Sequence, residues 1–124
     1  VELGPELRQF IADSNIDSVE SLEILLLLRR SEAYWSVEAV AQQLGIGRQP
    51  AAQKLAALAK AQLLVIGGDT GAYRYAPRAE RLRAAADELV AAYDEQRIPV
   101  INAIYSANLE RLRAFSDAFR LKKE

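Results

Sequence analysis

Two glycines one residue apart, Gly45 and Gly47, interrupt an otherwise helical stretch and are followed closely by Pro50. A glycine inside a helix costs roughly 1 kcal/mol against alanine, so the chain is expected to turn at Gly45-Ile46-Gly47. Before the turn, Val37, Val40, Ala41 and Leu44 recur at the spacing of one buried helical stripe, Ser36 is placed to cap the helix, and Glu38 and Gln42 face out. After it, Pro50 fits only a first helical turn, where backbone N–H groups have no intrahelical partner. A second helix is therefore expected from Arg48 or Gln49, burying Ala51, Leu55 and Leu58 with Ala52 and Ala59 beside them.

Beyond Gln62-Leu63-Leu64, the segments Val65-Ile66 and Tyr73-Arg74-Tyr75 flank Gly67-Gly68-Asp69-Thr70-Gly71. This is a hairpin pattern, with glycine supplying the positive φ angles of the connection. A phosphate-cradling loop would need a Gly-Lys-Ser/Thr ending and a helix directly after it, and the sequence has neither.

Two short helices meeting at a glycine turn and leading into a hairpin resemble the winged helix-turn-helix of bacterial transcriptional regulators such as the MarR and ArsR groups. Ala41 matches the small residue where the two helices cross, Gly45 the turn glycine, and Ile46 the apolar turn residue; Leu55, Leu58 and Leu63-Leu64 match the apolar positions leading into the wing. The resemblance is close over 36–76 and holds only in outline for the flanking helices. It implies a mainly α fold with a small β-hairpin wing, a winged helix-turn-helix with extra N- and C-terminal helices. A single domain, 1–124, is expected, with N-terminal helices over 1–32, the winged helix-turn-helix over 33–76, and C-terminal helices over 77–124 serving dimerisation or docking.

The remaining segments read as helices. A first helix is expected over 5–15, with Leu3, Leu7, Phe10 and Ile11 on one side and Asp13-Ser14-Asn15 as its stop. A second, over 18–30, begins at Ser18 in a pattern close to a capping box. Its Leu22, Ile24, Leu25, Leu26, Leu27 and Leu28 would coat most of its circumference, which makes it the central core helix. Ala33-Tyr34-Trp35 could add a short third strand to the hairpin, and Trp35, the only tryptophan, reads as a core or hinge anchor. A long helix is expected over 78–98, with Pro99 kinking or restarting it. Val100, Ile101, Ile104, Tyr105, Leu109, Leu112, Phe115, Phe119 and Leu121 then carry more apolar surface than a lone tail could leave in water, ahead of the basic end Lys122-Lys123.

Composition removes whole classes of chemistry. With no cysteine and no histidine, disulfide scaffolds, thiolate or imidazole metal sites and Cys-His or Ser-His catalysis are excluded. Asp87-Glu88 and Asp94-Glu95 are neighbours in sequence, and adjacent helical residues diverge, so neither pair converges on a substrate. The protein is therefore expected to be no enzyme and to carry no cofactor. The apolar run 24–28 is far short of the roughly 20 residues of a membrane span, and no signal peptide opens the chain, so no membrane association and a cytoplasmic location are expected. The sequence starts at Val1 without methionine, which fits a processed or trimmed N-terminus.

The net charge of −1 hides a gradient: residues 1–32 are net acidic, whereas 33–76 carry Arg48, Lys54, Lys60 and Arg74 against Glu38 and Asp69. If the resemblance holds, the second helix lies in a DNA major groove and its N-terminal half reads bases. Arg48, Gln49, Gln53 and Lys54 are the candidates, since arginine suits guanine, glutamine adenine, and lysine phosphate or guanine. Gln53 is the leading base reader, and Arg48 and Lys60 are better placed for phosphates. Gly47 replaces the usual serine or threonine cap, Ala51, Ala52, Ala56 and Ala57 leave the helix bare, and Asp69 occupies the wing tip, so minor-groove contact falls to Thr70 or Arg74. Modest affinity per module points to a homodimer on double-stranded DNA. The alternative is a winged-helix protein–protein interaction module without direct DNA binding. A ligand-sensing regulator would need a pocket, for which Tyr93, Arg97 and Tyr105 are available.

Overall fold

Residues 3–123 are described by the computed structural model, with side chains through residue 118. Their elements are α1 (Pro5–Asp13), α2 (Val19–Ser31), α3 (Val37–Leu44), α4 (Arg48–Lys60), β1 (Leu64–Ile66), β2 (Tyr73–Tyr75), α5 (Glu80–Glu95) and α6 (Arg97–Lys123). The fold is mainly helical with one small antiparallel hairpin. Helix α2 lies at its centre: Leu22, Ile24, Leu25, Leu27 and Leu28 are buried, and α3, α4 and β2 all pack on it. Its start is fixed by Ser18, whose Oγ accepts the Ser21 N–H at 3.1 Å, while the Ser21 hydroxyl donates to Asp17 at 2.9 Å.

The turn between α3 and α4 forms where the two glycines require it. The Ser36 hydroxyl oxygen accepts the Ala39 N–H and caps α3. Gly45 ends that helix in the left-handed region at φ 67°, and the Ile46 N–H returns to the Ala41 carbonyl. Gly47 opens α4 with no side-chain cap. A Cβ at Gly47 would stand 3.2 Å from Cδ of Pro50, so the proline in the first turn and a side-chain cap compete for the same space. Val40, Ala41, Ala51, Leu55 and Leu58 are buried as the helical spacing requires, and Val37 and Leu44 are half-buried at the edge of the core.

In the hairpin, Leu64 pairs with Tyr75, Val65 with Arg74 and Ile66 with Tyr73. The connection closes by Gly67 N–H to Ala72 O and Gly71 N–H to Gly67 O, with Gly71 at φ 68°. The expected third strand at Ala33-Tyr34-Trp35 shrinks to one residue: Trp35 and Tyr73 exchange two backbone hydrogen bonds, and Ser36 then leaves the sheet to cap α3. Trp35 is half-buried against the core, and its indole N–H donates to the Ser31 hydroxyl.

The helix expected over 78–98 is corrected at both ends. It starts later because the Ala76 and Arg78 N–H groups are engaged by the carbonyls of Leu63 and Gln62, which holds this segment extended beside the α4–β1 connection. It ends earlier because the break falls at Gln96, at φ −144°, rather than at Pro99. Starting α6 at Arg97 makes Pro99 its third residue, where the missing N–H removes no helical hydrogen bond, so the proline neither kinks nor ends the helix.

Helix α6 has 27 residues and is about 40 Å long at 1.5 Å per residue. Val100, Ala103, Ile104 and Ala107 dock it on α1 and α5. Asn108 Nδ2 donates to the Asp17 carbonyl at 2.7 Å and Arg111 Nη2 to the Ala12 carbonyl at 2.6 Å, fastening the helix to the end of α1. Ile98, Tyr105, Leu109, Leu112 and Phe115 are exposed, so docking accounts for only part of its apolar surface. The side chains expected to matter at Phe119, Leu121, Lys122 and Lys123 lie outside the described residues.

Candidate nucleic-acid interface

Because Ala51, Leu55 and Leu58 face the core, helical geometry turns Gln49, Gln53, Ala56 and Lys60 to the opposite side. All four are exposed. The two glutamines lie one turn apart near the start of the helix, and Lys60 stands at its end. Among the described residues, Lys60 forms no ion pair.

The other two cations of α4 are engaged inside the protein. Arg48 Nε meets Glu38 Oε1 at 2.8 Å across the α3–α4 turn. That hydrogen bond, aided by the backbone, holds the Glu38 carboxyl below its ordinary pKa. Both side chains remain largely exposed, at 69% for Arg48 and 64% for Glu38, so solvent screens the pair and a competing phosphate could replace the carboxylate. Lys54 is held more closely. Its Nζ lies 3.0 Å from the Ser18 hydroxyl and 3.7 Å from Asp17 Oδ1, with the side chain only 20% exposed. It flanks the buried stripe and ties α4 to the start of α2, a placement set by residues 36 and 37 positions away in sequence.

At the hairpin, Thr70 is exposed and its Oγ1 accepts the Ala72 N–H at 3.4 Å. Arg74 is exposed on β2 with its guanidinium carbon 5.8 Å from the centroid of the Tyr34 ring, within the range of a cation–π contact. The Tyr34 ring in turn lies over Gly67, where a Cβ would come within 3.1 Å of it. Glycine at this position thus permits the close approach by which Tyr34 supports Arg74. Asp69 is exposed in the same connection.

Of the three residues available for a sensing pocket, the arginine and the two tyrosines are placed differently. Arg97 stacks on Tyr93 at 4.8 Å, Tyr93 is buried, and Tyr105 is exposed. A cavity of about 710 Å³ at the α5–α6 junction is lined by Arg97 but by neither tyrosine. Among the described residues, no group of three or more acidic side chains is arranged to hold a metal ion, and no helix is long and apolar enough to cross a membrane.

A second charged cluster has no counterpart in the local sequence pattern. Arg29 and Arg30 from the last turn of α2, Glu32 after it, Arg74 and Tyr75 from β2, and Arg83 and Asp87 from α5 line one cavity of about 490 Å³. Arg29 Nε and Nη2 both donate to Asp87 Oδ1, at 3.0 and 2.8 Å. Only the spacing of Arg83 and Asp87, one turn apart on α5, hints at a shared face. Their partners on α2 come from more than fifty positions earlier.

The chain matches no family model, no curated protein and no solved structure in the comparisons made.

Proposed function

We propose that the protein is a winged helix-turn-helix regulator that binds double-stranded DNA through α4, without enzymatic activity. The observation that carries this reading is the two-sided build of α4: a fully buried stripe of Ala51, Leu55 and Leu58 fixes the helix, and its outer side offers Gln49, Gln53 and Lys60 beside an arginine-bearing hairpin. In this reading Gln53 and Gln49 reach base edges, and Arg48 contacts a phosphate once released from Glu38. Lys60 takes a second phosphate, while Arg74 and Thr70 approach the minor groove. Lys54 contributes by holding α4 on α2, with less to offer DNA than its position in the helix implies. The exposed apolar side of α6 supports a homodimer, which would pair two such helices on a symmetric operator.

Fluorescence anisotropy with duplex DNA tests the reading. Binding should weaken steeply as salt rises, and removing Arg48 and Lys60 together should reduce the log–log salt slope by about 1 for each phosphate no longer neutralised. Gln53→Ala should leave the slope unchanged and reduce discrimination between sequences. Absence of binding at low salt would overturn the DNA reading, and a monomer in sedimentation at micromolar concentration would overturn the dimer.

A second reading, a winged-helix module that docks on another protein, is favoured by the internal engagement of Arg48 and Lys54 and by the alanine-rich surface of α4. Its affinity for a partner would respond little to salt.

A further inference from the structure

Four arginines, Glu32 and Asp87 line the cavity between the end of α2, β2 and the first half of α5. One carboxylate, Asp87, is committed to Arg29. Among the described residues, Arg30, Arg74 and Arg83 form no ion pair, so the cavity keeps an excess of positive charge at neutral pH. Arg83 stands 5.8 Å from the Tyr75 ring and Arg74 5.8 Å from the Tyr34 ring, and stacking of this kind orients a guanidinium while leaving its N–H edge available.

The Tyr75 hydroxyl adds a second, independent observation. It belongs to the same cavity wall, its oxygen is buried within reach of the Arg29 guanidinium, and its proton has no acceptor among the described residues. A buried donor without an acceptor is uncommon in folded proteins, and an oxyanion that enters the cavity and displaces the side chains covering the hydroxyl would satisfy it. Burial pushes the phenol above its ordinary pKa, Asp87 adds to that, and Arg29 and Arg83 oppose it, so the group keeps its proton at neutral pH.

We infer that this cavity is a binding site for the phosphoryl group of a small molecule, with Arg30, Arg74 and Arg83 as its cationic ligands and the Tyr75 hydroxyl as a neutral donor. Planar guanidinium forks match phosphoryl oxygens in pairs, and Arg29, fixed by Asp87, supplies a rigid wall. A cavity of about 490 Å³ exceeds the size of an inorganic anion and falls in the range of small-molecule sites. A free phosphorylated compound is favoured over a backbone phosphate of DNA because the inner donors are recessed: Arg29 is two-thirds covered and the Tyr75 oxygen is buried. The site stands whether or not α4 binds DNA, since it shares only Arg74 with that reading.

The test is titration of the full chain with ribose 5-phosphate and with pyrophosphate, ribose being the neutral control, at constant ionic strength. Binding is followed by NMR of backbone amides and arginine Nε–H groups. Saturable shifts centred on Arg30, Arg74, Tyr75 and Arg83, absent with ribose, are expected. Arg83→Gln should weaken binding about tenfold, the loss of one charge-assisted hydrogen bond. Tyr75→Phe should weaken it several-fold while leaving the unliganded fold as stable or more so. Arg113→Gln, on the exposed part of α6, should change nothing. Shifts spread evenly over surface cations, equal losses in Arg113→Gln and Arg83→Gln, or no saturation would overturn the site. Displacement of both probes by short duplex DNA that shifts these same resonances would assign the pocket to backbone phosphate and overturn a small-molecule ligand.

Discussion

Helices α4 and α6 carry apolar residues at similar spacing, yet they use them differently. In α4 the apolar stripe is closed: Ala51, Leu55 and Leu58 are fully buried, and the outward side is polar or small. In α6, among the described residues, the stripe is buried through Val100, Ala103, Ile104 and Ala107, after which Leu109 and Leu112 are exposed. A closed stripe fixes a helix within its own chain and frees the other side for polar recognition. An open stripe leaves apolar area to be covered by another surface, consistent with the proposed dimer.

The largest test of this contrast is a pair of truncations. Leu55→Ala should cost about 2–5 kcal/mol in chemical denaturation, since a cavity replaces a fully enclosed side chain. Leu112→Ala should change the stability of the monomer by less than about 0.5 kcal/mol, because its side chain is already in water. A large loss for Leu112→Ala that grows with protein concentration would show that the open stripe is covered in solution. Equal losses independent of concentration would break the distinction between the two helices.

A middle-sized effect concerns how α4 is held. Ser18 both caps α2 and accepts Lys54, so Ser18→Ala should cost about 1 kcal/mol from the cap alone. Lys54→Met, which keeps the packing stem and removes the ammonium, should be mild. A thermal melt in which Lys54→Met equals Ser18→Ala would show that the tie between helices outweighs the cap.

The smallest effect is confined to alkaline pH. Tyr75 has a raised pKa in the folded state, so its contribution is fully present below the ordinary phenol value and is lost as pH rises through the higher folded value. Melting temperature should therefore fall more steeply above pH 10 in the native chain than in Tyr75→Phe. Parallel curves would show that burial of the phenol carries no linkage.

Much of this architecture is legible where local chemistry decides the backbone. The Gly45-Ile46-Gly47 turn followed by Pro50 leaves one way to place two helices, and Gly67 to Gly71 leave little besides a hairpin. Legibility declines where several local solutions are equal: a proline is tolerated at each of the first positions of a helix, so Pro99 alone cannot locate the break at Gln96. It fails where distant residues choose the partner. Lys54 reads locally as an outward cation, yet Asp17 and Ser18 meet it in the fold, and Arg29 finds Asp87 from 58 positions away. Positions facing outward on α4 are readable from period alone, whereas the arginine-lined cavity arises from three elements meeting in space.

The brevity of the hairpin also bears on self-association. Strand β1 presents an outer edge with Val65 and Ile66 exposed, the kind of apolar edge on which another chain can add as a strand. Three residues offer too few backbone groups to template such growth, and the glycine connection ends the ladder directly after Ile66. Lengthening β1 by even a few β-branched residues would remove that safeguard, so the short strand acts as a built-in guard against fibrous aggregation.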